Sequence, residues 1–504
     1  MRTAGLVLTL ALGVRWLRVA QREHYLAGRC FWTLRLWMRC YPVDAALMAA
    51  AVAALVMALV LEQPRLLLVT AIAGLAVPVR LPLRGRTSRL AWTPRLRRVA
   101  ALSAVLEGAV ILFAPAPVAT AAVVLGSVAV DLALLVLSPV ENRLSAKYLT
   151  QARSRMRQLA PTVIAITGSY GKTTTKQYLA HLLSGQRAVV PSPASFNNAM
   201  GLSRAVNEHL PPGTEVFIAE MGTYGPGEIR RLCEIFPPDV AVITAIGEVH
   251  LERMRSLDRI LAAKAEITEN ARTVVLNTDD ERIATLAATL RDQGKKVLRA
   301  SLTDPAADVL LQEEAEGWRL SIDGRSVGTV RLPPSVHATN AAVAVAAAMA
   351  AGADPGSLVG RLASLPSVAH RMEPERTANG GWVLDDTYNS NPAGAAAALR
   401  RAASLAEQTG GNVHVVTPGM VEMGNKQRVR NAELAAAAAH LGVQTLVAVG
   451  RTNRSALRSG ATDLGPDSNF LEVASRQSAM DLLTSRLAPG DVVLFENDLP
   501  DHYP

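Results

Sequence analysis

Cysteine is scarce in this 504-residue sequence, which contains only Cys30, Cys40 and Cys233. Three cysteines without a CxxC pair provide neither a disulfide framework nor a cysteine-rich zinc site. The sequence is therefore typical of a protein that works in a reducing compartment.

Aromatic residues and lysine are also rare: aromatics make up 4% of the chain, and seven of the 52 basic residues are lysines. The formal net charge of +9 would permit binding to nucleic acid. Nucleic-acid-binding modules combine basic residues with recognisable motifs or stacking aromatics, and the sequence contains neither. We therefore predict no nucleic-acid partner. Many of the arginines flank apolar runs, which is where positive charge orients membrane helices.

Hydrophobic residues are unevenly distributed, with long apolar runs before about residue 142 and mixed sequence after it. Four runs are candidate membrane helices, the first being the most apolar: 43–61, 66–79, 99–115 and 118–138. Arginines cluster before, between and after these runs, as expected of cytoplasmic segments. We therefore predict a helical membrane module over 1–150, with about four crossings, a multi-pass location in the plasma membrane and cytoplasmic catalytic domains.

Beyond residue 150, strand and helix patterns alternate. Short apolar runs such as TVIAIT, EVFIAEM and VAVITAIG are typical of buried parallel strands. A second series of this kind begins near Trp382, after Pro355 and Pro366 have interrupted the chain. We predict an α/β fold with a central parallel-sheet ATPase domain of the P-loop type over 151–368. A Rossmann-like α/β domain is predicted over 369–504.

The strongest chemical signal is the segment VIAITGSYGKTTTKQYLAHLL, at 163–183. A buried strand runs into a glycine turn and then a helix, so backbone amides and the helix N-terminus can hold phosphate oxygens. Lys172 would reach the β- and γ-phosphates, and the Thr173 hydroxyl would bind Mg²⁺. The loop, GxxGKT, is shorter than the full Walker pattern. Its predicted ATP-binding residues are Gly168, Ser169, Gly171, Lys172, Thr173 and Thr174.

This loop, in the form TGxxGKTT, resembles that of the Mur ligase family, and three later segments strengthen the resemblance. They are AEMG (219–222), IGEVHLERMRSLDRILAAKAE (246–266) and HRMEPERTANGGWVLDDTYNSNP (370–392). The last segment looks closest to the branch of the family that joins D-alanyl-D-alanine to UDP-N-acetylmuramoyl-tripeptide. The resemblance covers about 161–495 and implies an ATP-dependent amide ligase, in which a carboxylate is phosphorylated and then attacked by an amine.

The resemblance also implies roles around the phosphates. Mg²⁺ would be held by Thr173, Glu220 and His250, and Lys264 is the position that family members carbamylate. A carbamylated lysine is a carboxylate on a long arm and would position a second Mg²⁺. These groups and Lys172 would stabilise the charge that builds on the transferring phosphoryl group.

Further residues carry implied nucleotide and substrate roles. Arg371 would act in catalysis by contacting the γ-phosphate, Asp386 would contact the ribose, and Asn340 matches part of an adenine-side motif. Four asparagines would lie near the substrates, the first pair near the muramoyl group and the second near the amine: Asn197, Asn198, Asn389 and Asn391.

Plainer interpretations stay open for several of these residues. Glu220 could end a strand, His250 could be an ordinary histidine, and Lys264 could pair with a neighbouring glutamate. Asn197 and Asn198 could equally shape a turn.

The acceptor is the least determined part of the hypothesis, because no segment resembles the UDP-binding domain of the family. We expect a muramoyl-peptide-like or lipid-linked carboxylate, an amino acid or dipeptide as the amine, and membrane lipid as a further partner. Two alternatives stay open: a membrane-associated ligase of the poly-γ-glutamate type, and a catalytically inactive scaffold for wall synthesis.

Overall fold

The computed structural model describes residues 2–83, 85, 90–193, 196–368, 373–377, 379–387, 390–465, 468–484 and 487–504. It contains an N-terminal helical region followed by two α/β units, each built on its own sheet. The predicted α/β fold, with a parallel-sheet central unit and a second α/β unit after it, is confirmed.

The N-terminal region is helical. Its helices are α1 (Arg2–Arg22), α2 (Arg29–Cys40), α3 (Pro42–Val60), α4 (Leu66–Ala76), α5 (Pro94–Phe113), α6 (Ala116–Val124) and α7 (Gly126–Leu159). Trp16, Trp37 and Leu96 are buried in the core that these helices share. Helix α7 runs beyond the predicted boundary at residue 150, and Met156 near its end packs into the core of the central unit.

The predicted multi-pass membrane module is wrong. Within the described part of the chain, α3 alone is a single helix with the length and composition to cross a membrane. A second candidate arises only if α6 and α7, which are bent by 81°, count as one broken span. Helix α4 has 11 residues and so a length of about 16 Å, half the thickness of a bilayer core. Helix α5 is continuous, but it carries Arg97 and Arg98 near its start, and Glu107 interrupts its apolar sequence.

The central unit is built on a nine-stranded sheet in the order β2-β3-β1-β4-β5-β6-β7-β8-β9. Its strands are β1 (Thr162–Thr167), β2 (Val189–Pro191), β3 (Val216–Glu220), β4 (Val240–Ile243), β5 (Thr273–Asn277), β6 (Lys296–Ser301), β7 (Val309–Glu314), β8 (Gly317–Ile322) and β9 (Arg325–Val330). Neighbours from β2 to β7 are parallel, and β7, β8 and β9 are antiparallel. The carboxyl ends of β1, β3 and β4 therefore meet at one edge, where ligands usually bind in such sheets.

Helices cover both faces of this sheet. They are α8 (Lys172–Leu183), α9 (Ala199–His209), α10 (Glu228–Ile235), α11 (Leu251–Met254), α12 (Leu257–Ala265), α13 (Glu281–Asp292), α14 (Ala338–Ala350) and α15 (Pro355–Leu362), with a 3₁₀ turn at Glu266–Thr268. Successive residues of β1 point to opposite faces, so Val163 and Ala165 join one core while Ile164 and Ile166 join the other. The alanines at 341–348 of α14 lie in the second core, where small side chains let the helix pack closely.

The C-terminal unit has a six-stranded sheet in the order β10-β11-β15-β12-β13-β14. Its strands are β10 (Glu373–Arg376), β11 (Trp382–Asp386), β12 (Val413–Thr417), β13 (Thr445–Val449), β14 (Asn469–Val473) and β15 (Val492–Glu496). Its helices are α16 (Pro392–Thr409), α17 (Gln427–His440), α18 (Arg454–Gly460) and α19 (Arg476–Thr484), with 3₁₀ turns at Gly424–Lys426 and Ala461–Asp463. The sheet is parallel except for the β10–β11 pair.

Candidate active site

The loop between β1 and α8 is closely packed at both of its predicted glycines. A Cβ atom at Gly171, whose φ is +81°, would lie 2.5 Å from Asn340 Oδ1. A Cβ atom at Gly168 would lie 2.0 Å from the Thr244 hydroxyl oxygen. Non-bonded atoms do not approach this closely, so a larger residue at either position would displace Asn340 or Thr244, and the positive φ at both positions also favours glycine. The same contacts place Asn340 of α14 directly beside the phosphate loop.

Two of the predicted lysines converge on one carbonyl oxygen. Lys172 Nζ donates to Gly168 O at 2.7 Å and to Ser169 O at 3.3 Å, and Lys264 Nζ donates to Gly168 O at 3.0 Å. Burial, and secondarily the charge of Lys172, holds the pKa of the Lys264 ammonium well below its ordinary value. A larger fraction of Lys264 is therefore neutral near pH 7, and a neutral amine is the form that reacts with CO₂.

Glu220, at the carboxyl end of β3, is the carboxylate that contacts the first turns of helix α8, directly after the phosphate loop. Its Oε2 accepts from the Thr173 hydroxyl at 2.9 Å and pairs with Lys176 Nζ at 2.9 Å, and its Oε1 accepts from Asn197 Nδ2 at 3.3 Å. Carboxylate and hydroxyl oxygens are the ligands that Mg²⁺ prefers, so Thr173 and Glu220 fit a Mg²⁺ site.

Lys176 is a site residue that the sequence argument missed. Its ammonium group lies where a cation would approach Glu220, and both side chains are buried. The sequence signal was its spacing. Lys176 comes four residues after Lys172, so the two lysines lie on the same face of helix α8.

His250 does not share a contact with Glu220. Its Nδ1 is hydrogen-bonded to Glu422 Oε2, and the Tyr224 ring lies edge-on to its own with centroids 4.7 Å apart. Among the residues that the structure describes, no group of three or more His, Cys, Asp or Glu side chains could hold a metal ion. The structure therefore joins Thr173 to Glu220, and it places His250 in a separate cluster.

A cavity of about 430 Å³ lies between the phosphate loop and the C-terminal unit. Gly171, Thr174 and Asn340 line it from the central unit, and Asp386 and Asn391 line it from the C-terminal unit. Predicted nucleotide residues from segments far apart in the sequence are thus brought to one space. Its position beside the loop suits the nucleoside part of ATP.

The predicted asparagines differ in what they contact. Asn198 and Asn391 each cap the N-terminus of a helix. Asn198 Oδ1 accepts from the Gly201 backbone amide at 2.9 Å, and Asn391 Oδ1 accepts from the Gly394 backbone amide at 3.0 Å. The Asn197 side chain instead contacts Glu220, and the Asn197 backbone carbonyl oxygen accepts from Gly222 N at 2.8 Å. The helix-capping contacts account for Asn198 and Asn391 without a ligand. Arg371 and Asn389 lie outside the described residues.

Glu496 is a second residue that the sequence argument missed. It ends β15 in register with Asp386, and its carboxylate accepts from the hydroxyls of Ser390 and Thr417, the latter at 3.0 Å. Burial raises the pKa of Glu496 to about 7, despite the hydrogen bond from Ser390. The sequence signal was an acidic residue at the end of a buried strand, at the ligand-binding edge of a parallel sheet.

This pKa predicts a pH dependence of stability. Between pH 4.5 and about 7 the folded chain keeps a proton on Glu496 that the unfolded chain has lost, so the free energy of unfolding falls as pH rises. We expect Glu496→Gln to remove this fall and to be more stable than the parent at pH 8 by about 2–3 kcal/mol. Urea unfolding at pH 5 to 8 measures it, with exposed Glu313→Gln as the control. Parallel curves for the parent and Glu496→Gln would contradict the assignment.

The fold and the site together define an α/β protein with a phosphate loop beside a cavity that two units line. Two domain families match the chain: the Mur ligase middle domain over residues 166–348, and the Mur ligase glutamate ligase domain over 370–496.

Individual relatives agree with these matches. The UDP-N-acetylmuramoyl-tripeptide–D-alanyl-D-alanine ligase of Mycobacterium tuberculosis is 32% identical over 429 residues, covering 78% of this chain and 83% of the relative. The ligase of the same name from Bacillus subtilis is 28% identical and covers 68% and 75%. The crystal structure of MurF from Acinetobacter baumannii has a TM-score of 0.60 and 26% identity, covering 70% and 77%.

The chain therefore belongs to the Mur ligase family. It is an ATP-dependent, ADP-forming amide ligase, and members of the family use ATP and Mg²⁺.

Proposed function

We propose that this ligase joins D-alanyl-D-alanine to a UDP-N-acetylmuramoyl-tripeptide in peptidoglycan synthesis. The observation that carries the proposal is the similarity, over 68–78% of the chain, to relatives whose names state this reaction. The cavity between the phosphate loop and Asp386 supports it, because ATP bound there would present its γ-phosphate to an acceptor held by both units.

The reaction needs two transfers. The acceptor carboxylate attacks the γ-phosphate, forming an acyl phosphate and releasing ADP. The amine nitrogen then attacks the acyl carbon, phosphate leaves, and the amine loses a proton as the amide forms. Lys172 would neutralise the charge that develops on the phosphoryl group.

We propose that Thr173 and Glu220 hold one Mg²⁺, that His250 has a metal role, and that Lys264 is carbamylated and holds a second Mg²⁺. These ions would neutralise phosphate charge and orient the acceptor carboxylate. Support for carbamylation comes from the burial of Lys264 and from the lowered pKa of its ammonium group. Support for the first ion comes from the hydroxyl–carboxylate pair of Thr173 and Glu220.

We also infer that membrane lipid contacts the N-terminal region. Large apolar side chains there face outward, including Val60 at 73% exposure, Ile72 at 63% and Phe113 at 85%. Apolar surface of this extent on one region marks an interaction site with a membrane or a protein. Arg65 directly precedes α4 and Arg97 lies in the first turn of α5, and this positive charge favours an anionic lipid surface.

The decisive test of function measures ADP release by the full chain in detergent. D-alanyl-D-alanine, D-alanine and L-glutamate would each be supplied with UDP-linked or lipid-linked muramoyl tripeptide, with Lys172→Met as the inactive control. We expect ADP release with D-alanyl-D-alanine and the UDP-linked acceptor. Turnover only with the lipid-linked acceptor, or a growing chain with glutamate, would contradict the proposal, and inactivity with every pair would favour a scaffold. Flotation of the same protein with phosphatidylglycerol vesicles tests lipid contact.

A further inference from the structure

Three parts of the chain meet at His250. Glu422 of the C-terminal unit accepts from its Nδ1, and the Glu252 backbone amide donates to the Glu422 carbonyl at 2.9 Å. Arg253, three residues after His250, lies between two carboxylates, 3.5 Å from Glu422 and 3.3 Å from Glu23 of the N-terminal region. We call Glu23, His250, Arg253 and Glu422 the junction cluster.

The N-terminal side of the junction cluster is itself held by further contacts. Glu23 is buried and accepts from Arg29, and its Oε1 lies 2.9 Å from His502 Nε2 near the end of the chain. Trp37 Nε1 donates to the carbonyl oxygen of His502 at 2.8 Å. The last residues of the C-terminal unit therefore contact the end of α1, through Glu23, and helix α2, through Trp37.

A ring contact adds a second route to His250. The Tyr224 hydroxyl lies 3.1 Å from His24 Nε2, the Tyr224 ring packs on His250, and the Arg253 guanidinium lies 4.8 Å from the centre of the same ring. One strained residue comes from each part of the chain: His24, His250 and Glu422 have φ of 55°, 57° and 62°. Non-glycine residues adopt this conformation at a cost of about 1–3 kcal/mol each, and such strain concentrates at functional sites.

We propose that Glu422 and Glu23 are positioning residues for His250. A carboxylate at Nδ1 fixes the neutral imidazole with its proton on Nδ1, which leaves the Nε2 lone pair available to a ligand. Arg253 pairs with both carboxylates, so Glu23 of the N-terminal region is linked through Arg253 to Glu422 and His250. The N-terminal region thereby helps to orient the histidine to which a metal role is proposed. This inference rests on the proposed metal role of His250.

Two measurements on the full chain test the positioning role. The first is the affinity for Mn²⁺ in the presence of ADP, measured by calorimetric titration. The second is ¹⁵N NMR of labelled histidine, with the His250 signals assigned by their loss in His250→Gln. We expect Glu422→Gln to weaken Mn²⁺ binding about tenfold and to shift His250 toward a mixture of tautomers. Glu23→Gln should change both in the same direction by a smaller factor, about threefold.

Matched variants separate positioning from general damage. Glu62→Gln and Glu472→Gln change a carboxylate in the same two regions away from the junction cluster and should alter neither measurement. If Glu23→Gln does not fold, His502→Gln removes a partner of Glu23 instead and should show the same shift.

The outcomes distinguish this inference from the proposed metal role. Weakened Mn²⁺ binding in His250→Gln, with unchanged binding and tautomer in Glu422→Gln, overturns the positioning role alone. Unchanged Mn²⁺ binding in His250→Gln overturns the metal role and the positioning role with it. Loss of the single tautomer and of Mn²⁺ affinity in both glutamate variants supports the proposal.

Discussion

Replacing Lys264 by alanine is expected to lower the rate of ADP release by about 10²–10³-fold, and added formate or acetate is expected to restore part of it. The physical reason lies in the surroundings of the lysine. Its ammonium group is buried, shares the Gly168 carbonyl with Lys172, and has a lowered pKa because of burial and that neighbouring charge. A neutral amine in this position can take up CO₂, and a short carboxylate can replace the carbamate after its arm is removed.

Two observations check this prediction. ADP release is measured with formate, acetate and chloride at equal ionic strength, with exposed Lys296→Ala as the control. ¹³C-labelled bicarbonate should give a carbamate signal in the parent that is absent from Lys264→Ala. Failure of both rescue and labelling would show that Lys264 acts only through its hydrogen bond to Gly168.

Replacing Glu220 by glutamine is expected to remove activity and to lower the free energy of unfolding by about 3–5 kcal/mol. Glu220 and Lys176 form a buried ion pair, so the substitution leaves a buried ammonium without its counter-charge. The double variant Glu220→Gln/Lys176→Met removes both charges and should recover most of the lost stability. It should stay inactive, because the carboxylate proposed to bind Mg²⁺ is still missing.

Urea unfolding followed by tryptophan fluorescence measures the stability of both variants, and ADP release measures their activity. Glu269→Gln, which weakens an exposed pair with Arg230, serves as the control and should cost less than about 1 kcal/mol. Recovery of activity in the double variant would contradict the metal role of Glu220. Equal stability of the single and double variants would contradict the ion-pair argument.

Local sequence signals predicted the fold and the phosphate loop because each depends on neighbouring residues. Buried strands appear as short apolar runs, and the glycines and lysine of the loop stand at fixed spacing next to β1 and α8. The predicted strand TVIAIT, for example, forms β1 (Thr162–Thr167).

What the sequence could not provide depends on contacts between distant residues. The membrane prediction rested on counting apolar runs. The 81° bend between α6 and α7 depends on how the helices pack, and hydropathy does not reveal it. His250 and Glu422 are 172 positions apart, so the partner of the histidine had no local signal. Asn197 and Asn198 had equal standing in the sequence, and only their contacts separate the one beside Glu220 from the one that caps a helix.

Helix α7 is shared by the N-terminal region and the central unit. Its 34 residues extend for about 50 Å, with Val130 in the N-terminal core and Met156 in the central core. No loop separates these two ends, so one continuous helix joins the N-terminal core to the core of the central unit. Whatever the N-terminal region binds is therefore connected to the ATP-binding unit without a flexible linker.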